Sequence, residues 1–165
     1  MTSQANENSA SLEAKDDNTP EAEQPVDLPE DFDTGMSVAP RDEAAYAASK
    51  DNALAAARAA DELRGKDIVV LDLTALTSIV DFFVIVTATS NRQMQAMADE
   101  VNRILKRDRG NARLNAEGYR TEGNWLLTDY GDVVVHVFTE NGRALYDLEQ
   151  LWADAPRIVW AAESE

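Results

Sequence analysis

Three places in this 165-residue chain hold side chains that could do chemistry. The first is Asp72, near the end of a β-rich run at residues 67–73 (DIVVLDL). A nucleotidyltransferase needs carboxylates converging on a divalent metal, commonly two on one strand face. Leu73 and Thr74 follow Asp72, so there is no Asp-x-Asp pair. The second is Thr87-Ala88-Thr89-Ser90, which precedes a predicted helix and could bind an anion on free backbone N–H groups. It has no glycine to let phosphate approach and no P-loop lysine. Capping accounts for Ser90 better. The third is His136, the chain's single histidine. Set among valines, it reads as a hydrogen-bonded structural residue. A general base needs a nucleophile and an orienting partner; Asp129 or Asp132 could pair with it across a hairpin, yet no Ser or Thr in the run is an evident nucleophile. One histidine and no cysteine exclude structural zinc, disulfides and thiol nucleophiles. No catalytic residue, metal ligand or cofactor is assigned.

Residues 125–138 (WLLTDYGDVVVHVF) are the most informative stretch. Thr128-Asp129-Tyr130-Gly131 has turn chemistry, with Asp and Gly tolerating backbone angles that β-branched residues do not. Alternation sets Trp125, Leu127 and Asp129 against Leu126, Thr128 and Tyr130. The run from Val133 to Phe138 is apolar enough to be covered on both sides. A buried strand therefore pairs with a hairpin whose tip is expected to present Trp, Tyr and carboxylates. Such a tip suits docking better than catalysis.

These residues need a scaffold, and the remaining pattern supplies one. Asp42 caps a predicted helix to about Leu63, with Gly65 as terminator. Its alanine-rich face predicts a peripheral helix that buries little. Strands follow at 67–73 and 82–88. Ser90-Asn91 opens a helix with an apolar stripe of Met94, Met97, Ala98, Val101, Ile104 and Leu105, ending at Gly110. Arg103, Lys106, Arg107 and Arg109 suit its C-terminal dipole; with Arg113 they also form the chain's one basic cluster, open to a secondary contact with RNA phosphate. A weaker strand near 113–116 and a turn at Glu117-Gly118 lead to the hairpin. A helix at 141–152 then turns Ala144, Leu145, Leu148, Leu151 and Trp152 to one side, and residues 158–160 lie back on the domain. The order α-β-β-α-β-β-β-α predicts a mixed β-sheet covered by helices, an α/β fold.

The net charge of −16 is unevenly spread. Residues 1–42 hold eleven acidic and two basic side chains and four of the five prolines. Such composition predicts disorder: residues 1–41 form an acidic tail, 42–160 the folded domain and 161–165 a C-terminal tail. The acidic segment serves as a solubilising tail or as a contact for a basic partner. A net negative domain does not wrap nucleic acid, though it can bind a basic protein of a ribonucleoprotein. No apolar run approaches the ~18 to 20 residues that cross a bilayer, and residues 1–42 lack a signal-peptide core. A cytoplasmic protein is expected.

From about residue 44 to 152 the chain resembles the ribosomal silencing factor, or Iojap-like, family. The matching segments are DIVVLD at 67–72, DFFVI at 81–85, TSNR at 89–92, Gly118 followed by WLLTDYGDVVVHVF at 125–138, and RALYDLEQLW at 143–152. The resemblance implies a nucleotidyltransferase-like fold without the catalytic carboxylates, and hence not an enzyme. It implies binding to the large ribosomal subunit through ribosomal protein fourteen, blocking association with the small subunit and lowering translation when nutrients run short. Relatives can also form homodimers. The family contact surface maps onto Trp125 and Leu126, extended here by Asp129, Tyr130, Asp132 and Arg92 as partner-binding residues. Ala88 replaces the usual family glycine and Gln93 the usual histidine, so the strand-to-helix turn is expected to be stiffer and one charge or hydrogen bond beside Arg92 is lost. The alternative reading is a nucleotidyltransferase-like enzyme acting on nucleotide or RNA.

Overall fold

The computed structural model describes residues 39–119 and 123–161. The expected N-terminal tail lies outside the described residues up to position 38, as do residues 162–165 of the C-terminal one. Helix α1 (Glu43–Glu62) is capped by Asp42, whose carboxylate accepts from the Ala45 N–H. Strands β1 (Lys66–Asp72) and β2 (Phe82–Thr87) follow, then α2 (Asn91–Arg109), β3 (Asn115–Glu117), β4 (Trp125–Asp129) and β5 (Val133–Phe138). The chain continues through α3 (Glu140–Tyr146), α4 (Leu148–Leu151) and β6 (Arg157–Ile158). The sheet is six-stranded in the order β3-β4-β5-β2-β1-β6. It is mixed, since β2 and β5 run parallel while the other pairs are antiparallel. α2 lies on the connection from β2 to its parallel neighbour β5, as a crossover requires.

Both central strands are buried along their whole length, which their unbroken apolar runs predict. On one face, Val70, Phe82, Val84, Val86, Leu126, Val133, Val135 and Val137 pack with α1 and α2. On the other, Leu71, Phe83, Ile85, Val134 and Phe138 pack with Leu148 of α4 and with Trp125, Leu127 and Trp152. α1 and α2 thus cover β1, β2, β4 and β5 on one face, and two short helices cover the other only in part.

Three expectations are corrected. Helix α1 is central rather than peripheral: Ala53, Ala56, Ala57 and Ala60 are all fully buried, at the i, i+3, i+4, i+7 spacing of one helical stripe. Alanine contributes little area per residue, but its small volume lets the helix backbone approach α2 and the sheet closely. Gly65 does not provide the left-handed turn after α1; Arg64 does, at φ 62°. Gly65 is required for space, since a Cβ there would lie 2.5 Å from Val86 Cγ2. The helix at 141–152 is two helices, broken where Asp147 adopts φ 41°. Of its expected apolar face only Leu148 is buried, while Leu145 and Leu151 are 71% and 74% exposed.

Candidate docking surface

Strand β4 decides which side chains reach the surface. Its Trp125 pairs with Phe138, Leu127 with His136 and Asp129 with Val134, and alternation sends these β4 residues to the partly covered face. Leu126, Thr128 and Tyr130 point to the helical face. The expectation that the hairpin tip presents Tyr130, with Leu126 beside Trp125 at the surface, is therefore corrected. Leu126 is 2% exposed and Tyr130 4%, both inside the α1–α2 core. A one-residue step along a strand reverses the face, so neighbours in sequence cannot share one flat contact. Burial raises the Tyr130 phenol above its ordinary range.

Trp125 is half-buried and held on several sides. Its indole stacks on Phe138 at 5.2 Å between centroids and leans on Tyr146 of α3 at 4.6 Å. Its indole N–H donates to His136 Nδ1 at 3.2 Å. That bond fixes the imidazole tautomer, leaving the proton on Nε2, which is buried without a partner. His136 also meets the Phe83 ring edge-on at 4.5 Å. Burial pushes its pKa down to about 3, so the ring is neutral at ordinary pH. His136 is thus a structural acceptor for Trp125.

The carboxylates of the turn have local work. Asp129 accepts from the Gly131 N–H at 2.7 Å, and Gly131 takes φ 89°. Asp132 accepts from Asn52 of α1 at 2.9 Å and from Asn111, just past α2, at 2.7 Å. It ties the turn to both helices, with one hydrogen bond already accepted by each of its oxygens. Arg92 is exposed in the first turn of α2, in the layer covering the opposite face, so the fold does not bring it to Trp125. Gln93 explains its own presence: it donates to the carbonyls of Leu63 and Arg64 and accepts from the Thr89 N–H. It staples the end of α1 to the start of α2. Ala88 is buried, its N–H donating to the Phe138 carbonyl at 2.7 Å.

Sequence reasoning missed the contribution of α3 and α4. Tyr146, 43% exposed, abuts Trp125, and half-buried Trp152 meets Phe83 at 5.7 Å. Arg143 holds the elbow between the helices, with two guanidinium nitrogens on Glu149 at 2.9 and 2.7 Å and a third on Thr87 at 3.1 Å. That pairing lowers the Glu149 pKa. Gly142 admits the start of α3 against Asn124, where a Cβ would lie 2.2 Å from the carbonyl oxygen. The signal available in the sequence was an excess of apolar residues at 144–152 over what one short helix can bury.

Asp72 makes a closed set of bonds. One oxygen accepts from Tyr46 Oη at 2.8 Å and the other from the Thr74 N–H and hydroxyl. Burial first, then Asp72, pushes the Tyr46 pKa up to about 12. Among the described residues no cluster of His, Asp or Glu is placed to hold a metal.

Fold and surface together define an α/β domain whose distinctive feature is an aromatic face on a half-covered mixed sheet. The family model described as ribosomal silencing factor during starvation matches residues 46–165. The chain belongs to that family. It is 42% identical over 101 residues to ribosomal silencing factor RsfS of Bacillus subtilis, covering 61% of this chain and 84% of the relative. It is 38% identical over 108 residues to the chloroplastic protein Iojap of Zea mays, covering 64% of this chain and 45% of the relative. A crystal structure of a Chromobacterium violaceum protein superposes with a TM-score of 0.60 at 37% identity, covering 68% of this chain and 92% of that one. Membership carries a ribosome-associated role in silencing translation.

Proposed function

We propose that this protein represses translation by binding the large ribosomal subunit through ribosomal protein fourteen and blocking association with the small subunit under nutrient limitation. The observation that carries the docking site is Trp125: a half-buried indole, fixed by His136, Phe138 and Tyr146, on the one sheet face that helices leave partly open. Aromatic anchors of this kind dominate many interfaces. Leu126 and Tyr130 support that strand from beneath, and Asp129 shapes the adjoining turn. Arg92 is a separate contact on the helical layer. The protein acts in the cytoplasm as a stoichiometric binder rather than an enzyme, a reading supported by the engaged carboxylate of Asp72. Ribosomal RNA is a subsidiary contact, and the free protein can pair with a second copy. Among the described residues no helix is long and apolar enough to cross a membrane.

The test is sedimentation of purified large subunits with the protein, before and after addition of small subunits. The protein is expected to co-sediment with large subunits and to reduce joined particles in proportion to its amount. Joining that proceeds unchanged with the large subunit saturated refutes the blocking role.

A further inference from the structure

We propose that the C-terminal end of α2 is a second anchor, in which Lys106, Arg107, Arg109 and Arg113 grip the phosphodiester backbone of RNA. This rests on the reading that the chain binds the large subunit, and it names residues on a surface separate from the aromatic face. A third of the chain's fifteen basic residues fall between positions 103 and 113, in a protein of net charge −16. Arg103 is spoken for, since it forms a bidentate pair with Glu100. The other four are exposed, and none enters an ion pair among the described residues.

The helix does not need all of them. Its final carbonyls are met by backbone: the N–H groups of Gly110 and Asn111 both bond the Leu105 carbonyl, with Gly110 at φ 67°. The dipole favours cations in the last turn, but Arg113 lies beyond the helix, where that term has faded. Its guanidinium sits 5.2 Å from the centre of the Tyr119 ring and donates to that phenol at 2.9 Å. A guanidinium held this way loses less freedom on meeting a phosphate. Asp99, Glu100, Asp108 and Glu62 are acidic groups near Arg103 and Glu117 follows Arg113 in the chain; Glu100 is already neutralised by Arg103. Charges elsewhere are screened over ~8 Å at physiological salt, so the global charge does not cancel the patch.

Placement allows both surfaces to work at once. α2 packs on the sheet face opposite Trp125. The segment after it is pinned to the far end of β4, through the Leu114 N–H on the Asp129 carbonyl at 2.7 Å. Protein can therefore occupy one face while RNA lies along the other.

The experiment measures binding of the full chain to purified large subunits across ~50 to ~200 mM salt. Lys106→Gln/Arg107→Gln/Arg109→Gln and, separately, Arg113→Gln are compared with the parent. The triple variant is expected to bind about a hundredfold more weakly at ~50 mM salt, with the slope of log affinity against log salt reduced by ~2 to 3, so that the gap narrows as salt rises. Arg113→Gln should reduce the slope by ~1 without changing helix stability. Arg107→Lys/Arg109→Lys should keep the slope, and binding of the triple variant to isolated ribosomal protein fourteen should match the parent. Unchanged affinity and slope in both neutralised variants overturn the proposal. If the parent does not bind large subunits, the earlier reading fails and a short RNA duplex decides this one. Retention by the parent but not the triple variant upholds it, and no retention by the parent overturns it.

Discussion

Acidification should cost this protein stability at His136, by an amount that the fold sets. The imidazole is buried among Phe83, Trp125 and Phe138, and its pKa is held down to about 3 by burial. In the unfolded chain it titrates near ~6.5. Between these values the unfolded state carries a proton that the folded state refuses, so stability falls as pH falls through that window. Above ~6.5 both states are neutral and nothing is lost. The slope is ~1.4 kcal/mol per pH unit, so moving from pH 7 to pH 5 removes ~2 kcal/mol. The assay is urea unfolding at both pH values for the parent and His136→Phe, which keeps an aromatic ring but cannot titrate. The indole N–H freed by that change alters the variant's stability equally at both pH values, so it drops out of the comparison. Carboxylate contributions are common to both proteins and cancel. The parent should lose ~2 kcal/mol more than the variant, a midpoint difference near ~1 M urea. Parallel losses, equal within ~0.5 kcal/mol, would refute the argument that His136 is buried neutral.

Truncation at Trp125 should affect folding and binding together. Trp125→Ala loses ring contacts and orphans the buried Nδ1 of His136, costing ~2 to 3 kcal/mol by thermal unfolding, and it should abolish large-subunit binding at temperatures where it stays folded. Leu126→Ala is a core deletion worth ~2 to 5 kcal/mol, yet subunit affinity measured well below its melting point should be retained; a large loss of affinity would return Leu126 to the contact surface. Arg41 pairs with Asp81 at 2.6 Å, the side chains being 26% and 12% exposed, and it also meets the carbonyls of Thr77 and Ser78. A chain beginning at Ala39 should melt like the full chain, whereas one beginning at Asp42 should lose ~1 to 3 kcal/mol, between surface and buried pairs. Gly142→Ala forces its Cβ against the Asn124 carbonyl, so calorimetry should show ~1 to 3 kcal/mol of destabilisation.

The order of helices and strands through β5 was legible because these elements carry their own period or cap: Asp42 and Ser90 at helix starts, Gly110 at a helix end, alternation through β4; the two-residue β6 carries neither and was not foreseen. What sequence hides is competition between equally good local patterns. The leucines at 145, 148 and 151 continue a helical stripe across Asp147, and no local rule marks that aspartate as left-handed. Only the partly covered sheet face shows why the chain turns there, bringing Leu148 inward and leaving its neighbours out. The alanines of α1 misled for a different reason, since scales of burial weigh area and not the closeness that small residues permit. Around Trp125 the sequence's grouping of side chains was not the one the sheet imposes. Trp125 and Leu126 are adjacent in sequence and opposite in space. His136 was readable as structural; its partner, the indole N–H, was not.

For the docking role proposed above, the confinement of Trp125 bears on how fast the protein can engage a partner. An interface side chain that must be frozen on contact costs ~0.5 to 1.5 kcal/mol in lost rotamers. Here the indole is already immobilised in the free protein by one hydrogen bond and two neighbouring rings. Its contact geometry exists before any encounter. Capture then requires only diffusion and orientation, with no slow search among side-chain conformers, and differences in affinity between variants of this face will be expressed mainly as residence time.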